Sequence, residues 1–334
     1  MADHSSPRLH EWTARDFRFA SGEVLAELRL ACTTIGDPHG KPVLILHGSN
    51  GSGASFLTDA FAGELFGPGQ LLDAQTHFII LPDSIGCGRS SKPSDGMRMR
   101  FPHYNYDDAV RAQHLLLTRG LGLEHVRVLI GHSMGGMQAW LWAQQHPGFM
   151  DVLVPMAAQP GPMSGRNWML RRLLIESIKG DPEWMGGDYT EQPRHWQRAA
   201  IFFSLATNGG HHALQRLGAT RAQADAVVDQ RLAAPFTGDA NDQLYQWNAS
   251  RDYDPSDGLE HIEAAVLAVN AADDERNPPE LGLLERAVAR LKNGRMLLIA
   301  GSDETTGHGT TEKARLWKHA LAKLLADTPA RAAD

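Results

Sequence analysis

The sequence predicts an α/β protein, a mostly parallel central sheet with helices on both faces. Three observations predict it. Short, near-continuous apolar runs recur along the chain, segments of helical spacing lie between them, and one long polar and aromatic insertion interrupts the alternation. Apolar runs of that kind belong to strands buried on both faces, as in a parallel sheet covered by helices. At 334 residues the chain is long enough for a large core.

Near the start, FRFASGEV (17–24) and LAELRLACTTIG (25–36) read as an antiparallel pair at the sheet edge. PVLILHG (42–48) and HFIILPD (77–83) read as the first buried strands, the former running into a Gly-rich loop. YDDAVRAQHLLLTR (106–119) has helical spacing. VRVLIGHS (126–133) and DVLVPMAA (151–158) are strands around a helix over 134–146. AAVLAVNA (264–271) and RMLLIAGS (295–302) are the last strands, and a helix over 311–326 follows; ADTPARAAD then reads as a frayed end. Residues 159–250, rich in Trp, Arg, Gln and His, break this pattern and read as a helical cap over the C-terminal edge of the sheet, where open α/β sheets bind ligands. The expected organisation is therefore a core of 1–158 and 251–334 with a cap of 159–250.

Composition narrows the function. A formal net charge of −7 argues against nucleic acid or an anionic membrane surface as partner, because both need clustered Lys and Arg. Arg166, Arg171 and Arg172 read as a solvated helix face or a substrate rim. The two cysteines, Cys32 and Cys87, supply neither a disulfide framework nor a CxxC zinc site and fit reduced thiols. MADHSSPRLHEWTARDF has no apolar leader core, and no run approaches the ~18 apolar residues of a membrane span. The expected compartment is the cytoplasm.

The chemistry centres on GHSMG (131–135), a G-x-S-x-G motif between a strand and a helix. Such a turn forces Ser133 into a strained conformation that lifts its hydroxyl clear of the sheet, and the helix N-terminus points free N–H groups at the site. A serine nucleophile needs a base, and the base needs an orienting carboxylate. With this motif the chain order is Ser, acid, His. His308, between two glycines after the last strand, is the candidate base. The acid is Asp273 or Asp274, which composition does not separate, with Glu275 and Asp303 behind them. HGSNGSG (47–53) follows the first central strand, where one oxyanion donor is expected; the backbone N–H groups of Ser49 and Met134 are the candidates. That loop lacks the Lys-Ser/Thr ending of a phosphate-binding P-loop. Adjacent His211 and His212 point apart in regular structure, so no metal is expected, and no cofactor is called for. Trp168, Trp184, Tyr189 and Trp247 are candidates to line an apolar substrate pocket, although aromatics at helical spacing also serve as core.

Several segments together resemble the homoserine O-acetyltransferase group of α/β-hydrolases. HSMGGMQAWLWA is similar to the family's S-M-G-G-M-Q-A, and FPHYNYDDAVRAQHLLL (101–117) to its F-P…D-V-A-Q-x-x-L-L. DPEWMGGDY (181–189) resembles D-P-x-W-x-G-G-x-Y, and GDANDQLY (238–245) resembles D-A-N-x-x-x-Y. DDERNPPE (273–280) is similar to the acid loop S-D-x-x-x-P-P, a register that makes Asp274 the acid, and GHG resembles the histidine loop at His308. The resemblance implies an α/β-hydrolase fold and, since the related transferases are commonly dimers, a homodimer.

Two departures distinguish this chain. The family's transferases carry glycine before the nucleophile, where this chain has His132. They also carry a substrate-holding arginine close to D-P-x-W, where this chain has Ile175. Both lean towards the similar esterases of this architecture. The expectation is a serine hydrolase of small carboxylic esters acting through Ser133, His308 and Asp274. Acyl-CoA-dependent O-acyl transfer is the alternative, and a non-catalytic binding protein is a second.

Overall fold

The structure is a computed structural model and describes residues 6–331. Residues 1–5 and 332–334, parts of the terminal segments read above for a leader and a frayed end, lie outside the described residues. Eight strands form one sheet: β1 (Arg8–Arg18), β2 (Val24–Gly36), β3 (Lys41–Leu46), β4 (His77–Pro82), β5 (Val126–His132), β6 (Met150–Met156), β7 (Ala265–Ala271) and β8 (Gly294–Ile299). Their spatial order is β1-β2-β4-β3-β5-β6-β7-β8. β2 runs antiparallel to both β1 and β4, and the pairs from β4 onward are parallel.

The central strands are buried on both faces, and their side chains alternate accordingly. Leu44 and Leu46 of β3 join Ile80, Leu129 and Leu153 on one face, whereas Val43 and Ile45 join Ile79, Val128 and Val152 on the other. Each such aliphatic side chain contributes about 1.5–3 kcal/mol of hydrophobic stabilisation when fully buried. The first face is covered by α2 (Tyr106–Leu115) and α3 (Met134–Gln145), the second by the short α1 (Ala62–Leu65) and the C-terminal α10 (Lys318–Asp327). Asn105 caps α2, its side chain accepting the Asp108 N–H at 3.0 Å.

Between β6 and β7 the chain forms α4 (Gly165–Lys179), α5 (His195–Thr207), α6 (His211–Leu217), α7 (Arg221–Ala233) and α8 (Ala240–Asn248). Leu174, Ile175, Phe203 and Trp247 make a small core that joins α4, α5 and α8, whereas α6 and α7 bury no residue fully. α9 (Leu283–Val288) follows β7. Among the described residues no helix is long and apolar enough to cross a membrane.

Three element boundaries differ from the sequence reading. The edge pair exists, but its first strand is Arg8–Arg18 and most of FRFASGEV is the turn. β1 is largely exposed, so its charged side chains hide the strand pattern. RMLLIAGS is not buried on both faces: β8 is the sheet's edge, leaving Met296 and Leu298 exposed. The helix expected over 311–326 begins only at Lys318, because residues 307–316 form tight 3-10 turns instead.

Those turns are tied down by Trp317. Its ring is fully buried against Phe61, and its indole N–H donates to the Thr311 carbonyl at 2.7 Å. Trp317→Ala is expected to lower stability by about 3–5 kcal/mol, read as a reduced urea midpoint.

Candidate active site

All the loops that build the site leave the C-terminal ends of parallel strands. β5 ends at His132 and α3 begins at Met134, so the chain reverses at Ser133, which sits at φ 53° and ψ −112°. A non-glycine residue there carries strain of roughly 1–3 kcal/mol and persists only where its surroundings hold it. The Ser133 N–H donates to the Met156 carbonyl at 2.9 Å. Gly131 and Gly135 let helix and sheet meet: a Cβ on Gly131 would strike the Gly135 carbonyl, and one on Gly135 the Leu46 carbonyl. This explains the small residues of GHSMGG in physical terms.

The loops after β7 and β8 bring two more side chains to the serine. His308 Nε2 lies 2.8 Å from Ser133 Oγ, and its Nδ1 lies 3.0 Å from both Asp274 oxygens. Asp274 also accepts backbone N–H bonds from Arg276 at 2.8 Å and Asn277 at 3.0 Å, and the Asn277 side-chain amide at 3.1 Å. Burial alone would raise the Asp274 pKa; the neighbouring imidazole and these donors outweigh it and hold the carboxyl down at about 2. For His308 burial dominates, and the ring is pushed down to about 4 despite Asp274. The pair is therefore a carboxylate beside a neutral imidazole. Nδ1–H donates to Asp274, and Nε2 is free to accept the serine proton.

The other acid candidates have different work. Asp273 accepts Thr305 Oγ1 at 2.7 Å and the Gly307 N–H at 3.3 Å, which ties the two loops together. Glu275 accepts the N–H groups of Gly210 at 2.7 Å and His308 at 3.2 Å. Asp303 pairs at the surface with Arg216. Only Asp274 among the four touches the His308 ring.

Gly48 lies beside Ser133, since a Cβ on it would stand 3.5 Å from Ser133 Cβ, and Ser49, the next residue, lines the same cavity. Met134 opens α3, and its N–H is among the first four of a helix, which have no intrahelical acceptor. The 47–53 loop is braced from three sides. Ser84 N–H donates to His47 Nε2 at 3.1 Å, so the His47 proton is on Nδ1, where it donates to the Gly48 carbonyl at 2.7 Å. Gly53 N–H donates to Asp83 at 2.7 Å. The N–H of Asn50, itself at φ 63°, donates to Gln246 of α8 at 2.9 Å, while the Gln246 amide donates to the Gly86 carbonyl at 3.1 Å.

Ser133 and His308 open into a cavity of about 310 Å³ whose far wall comes from the inserted helices, with Leu174, Phe203 and Trp247 as its apolar part. Of the four aromatics expected in a pocket, only Trp247 lines it. Trp168 packs against the small core of α4, α5 and α8. Trp184 donates to Asn241 at 2.8 Å, and the Tyr189 hydroxyl accepts the Asn241 N–H at 3.1 Å, so both brace α8 instead. Arg171 is no solvated residue: it is buried over the Trp247 ring and donates to Ser250 at 3.1 Å.

The sequence reading missed His47, Asp83, Gln246, Arg276 and Glu312. Glu312 pairs with His132 at 3.2 Å and borders the cavity. Two signals were available, the histidine just before the Gly-rich loop and the arginine two residues after the acid. A larger surface hollow of about 800 Å³ at the opposite ends of the strands, near His125 and Asp327, contains none of the site residues. Cys32 and Cys87 are both buried and unpaired. Among the described residues no cluster of three or more His, Cys, Asp or Glu side chains is placed to hold a metal ion.

These protonation states can be read directly. Nitrogen NMR should show His308 as the Nδ1–H tautomer at neutral pH, gaining its second proton only well below the ordinary imidazole value of about 6.5. As pH falls through that point the ring can no longer accept the Ser133 hydroxyl. A doubly protonated ring at neutral pH would contradict the burial argument.

Comparison with known proteins agrees with this architecture. The family profile for the alpha/beta hydrolase fold matches residues 41–327. A homoserine O-acetyltransferase of Citrifermentans bemidjiense is 31% identical over 296 residues, covering 77% of this chain and 78% of that protein. The solved homoserine O-acetyltransferase from Bacillus anthracis superposes with a TM-score of 0.83 at 19% identity, covering 98% of this chain and 99% of its own. Esterase E22 superposes equally well, with a TM-score of 0.83 at 18% identity over 96% of this chain and 100% of its own. The protein is an enzyme of the α/β-hydrolase superfamily and belongs, within it, to the homoserine O-acetyltransferase-like family.

Proposed function

We propose that the protein is a serine hydrolase of small carboxylic esters. The observation that carries this reading is the unbroken line from Ser133 through His308 to Asp274, opening on a cavity. In this reading Ser133 Oγ attacks the acyl carbonyl while His308 Nε2 takes its proton. Asp274 holds the imidazole's orientation and stabilises the imidazolium. The carbonyl oxygen, now an anion, is held by the N–H groups of Ser49 and Met134. His308 returns the proton to the departing alcohol, leaving an acyl-enzyme. Water, deprotonated by the same imidazole, then releases the carboxylic acid and restores Ser133.

The helices of 159–250 act here as a cap, supplying the apolar wall over the serine. Two features favour water as the acceptor. His132, bonded to Thr311 at 2.9 Å and paired with Glu312, stands where the family's transferases have glycine. Ile175, where they have arginine, is buried in the apolar cluster of α4 and carries no charge towards the site. The buried, unpaired cysteines are consistent with action in the cytoplasm. The second reading keeps the acyl-enzyme and resolves it with an alcohol, and is favoured by the similarity to homoserine O-acetyltransferases.

Turnover of p-nitrophenyl acetate and butyrate, set beside acetyl-CoA with homoserine, separates the two. Ester hydrolysis is expected, falling roughly a million-fold in Ser133→Ala, with no homoserine-dependent release of CoA. CoA release that requires homoserine would establish the transferase instead. Gln246→Leu removes the acceptor that holds Asn50 and should lower kcat by roughly ten- to a hundredfold with little change in KM, the signature of a misplaced oxyanion donor.

A further inference from the structure

Among the described residues, one charged group at the cavity has no carboxylate partner. Arg276 lies two residues after Asp274, half-buried, and lines the same cavity as Ser133 and His308. Its Nε donates to Thr207, at 3.2 Å to Oγ1 and 3.3 Å to the carbonyl. Its guanidinium carbon rests 5.0 Å over the Phe203 ring, another wall residue. Among the described residues no acceptor meets Nη1 or Nη2, and no carboxylate lies within ion-pair distance. The neighbouring carboxylates are already engaged, Asp274 with His308 and Glu275 with the Gly210 and His308 N–H groups.

A buried or half-buried cation is costly unless it is paired, so such a group is informative when left open. Burial lowers the Arg276 pKa, but only to about 10, and the guanidinium stays charged at neutral pH. Thr207 and Phe203 fix its plane and leave the Nη fork unused. That fork is the geometry that receives a carboxylate through two parallel hydrogen bonds. Arg171 adds a second positive charge behind the same wall, buried over Trp247. Asn208, which also borders the cavity, has a buried side-chain oxygen without a partner. Turned about its last bond, that amide presents an N–H₂ donor to the same anion.

We propose that Arg276, with Asn208 beside it, forms a carboxylate subsite in the Ser133 cavity, so that the preferred substrates are esters bearing a free carboxylate. Turnover of such esters rests on the esterase reading above; binding of the carboxylate does not.

The test has two arms. In the first, mono-4-nitrophenyl esters of succinic, glutaric and adipic acids, and acetates of short hydroxycarboxylic acids, are each compared with their methyl-capped neutral counterparts. Wild type should favour the best-fitting acid over its neutral partner by about ten- to a hundredfold in kcat/KM. Arg276→Met should collapse that ratio to near one, and Arg276→Lys should retain part of it. Equal turnover of charged and neutral esters by wild type, or an unchanged ratio in Arg276→Met, would overturn the subsite while leaving the esterase reading intact. The second arm is calorimetric titration with succinate, glutarate and adipate in a buffer free of carboxylates. Saturable binding in wild type, lost in Arg276→Met, supports the subsite even if no ester is hydrolysed, in which case only the esterase reading fails. Absence of binding to wild type, or binding unchanged in a folded Arg276→Met, overturns it.

Discussion

The close packing of α3 onto the sheet is the constraint from which the rest of the site follows. Helix and strand β5 can reverse within one residue only because Gly131 and Gly135 allow the backbones to touch. The left-handed conformation at Ser133 is the consequence, and its strain is held by the bond from Ser133 N–H to the Met156 carbonyl and by the buried α3 above it. A larger residue at either glycine would push the helix away. The hydroxyl would then leave the position that His308 reaches.

Around this fixed point the other loops are braced against one another and not only against the sheet. Asp273 joins the β7 loop to the β8 loop through Thr305 and Gly307, and Glu275 accepts the backbone N–H of His308 itself. Asn277 bonds both Asp274 and the Ala157 carbonyl at the end of β6. Such cross-links leave the imidazole few alternative positions, and preorganisation of this kind separates a reactive constellation from a chance cluster. The carboxylates flanking Asp274 are thus structural, although the sequence offers them as its rivals.

The inserted helices matter for a different reason. α4, α5 and α8 close an apolar wall over the serine, and α8 reaches down through Gln246 to the Gly-rich loop at Asn50. Any movement of α8 is therefore felt at the loop beside Ser133. Arg276 in that wall and Arg171 behind it are two guanidiniums without carboxylate partners among the described residues, in a chain whose overall charge is negative. Local sign, not net charge, bears on what the cavity admits.

Several features follow from the sequence alone, because they are governed by local rules. Five of the six apolar runs mark the buried strands, since strands covered on both faces have no polar positions to hide them. GHSMGG between a strand and a helix marked the turn, because only small residues permit it. The order of the late loops pointed to His308, and to Asp274 once the family register was applied. What escaped was decided by distant contacts. The start of β1 escapes because its exposed, charged positions hide the strand pattern, whereas β8 reads as buried because its apolar run does not show that it lies at the sheet edge. Asp273 and Asp274 are neighbours of the same chemistry, and only the approach of the β8 loop gives one of them the imidazole. Trp184 and Tyr189 became braces and Trp247 a cavity wall through helix packing that no local spacing encodes. Arg276 reads along the chain as one more charge in an acidic loop; tertiary structure sets it over Phe203, beside Thr207, with its fork unpaired among the described residues.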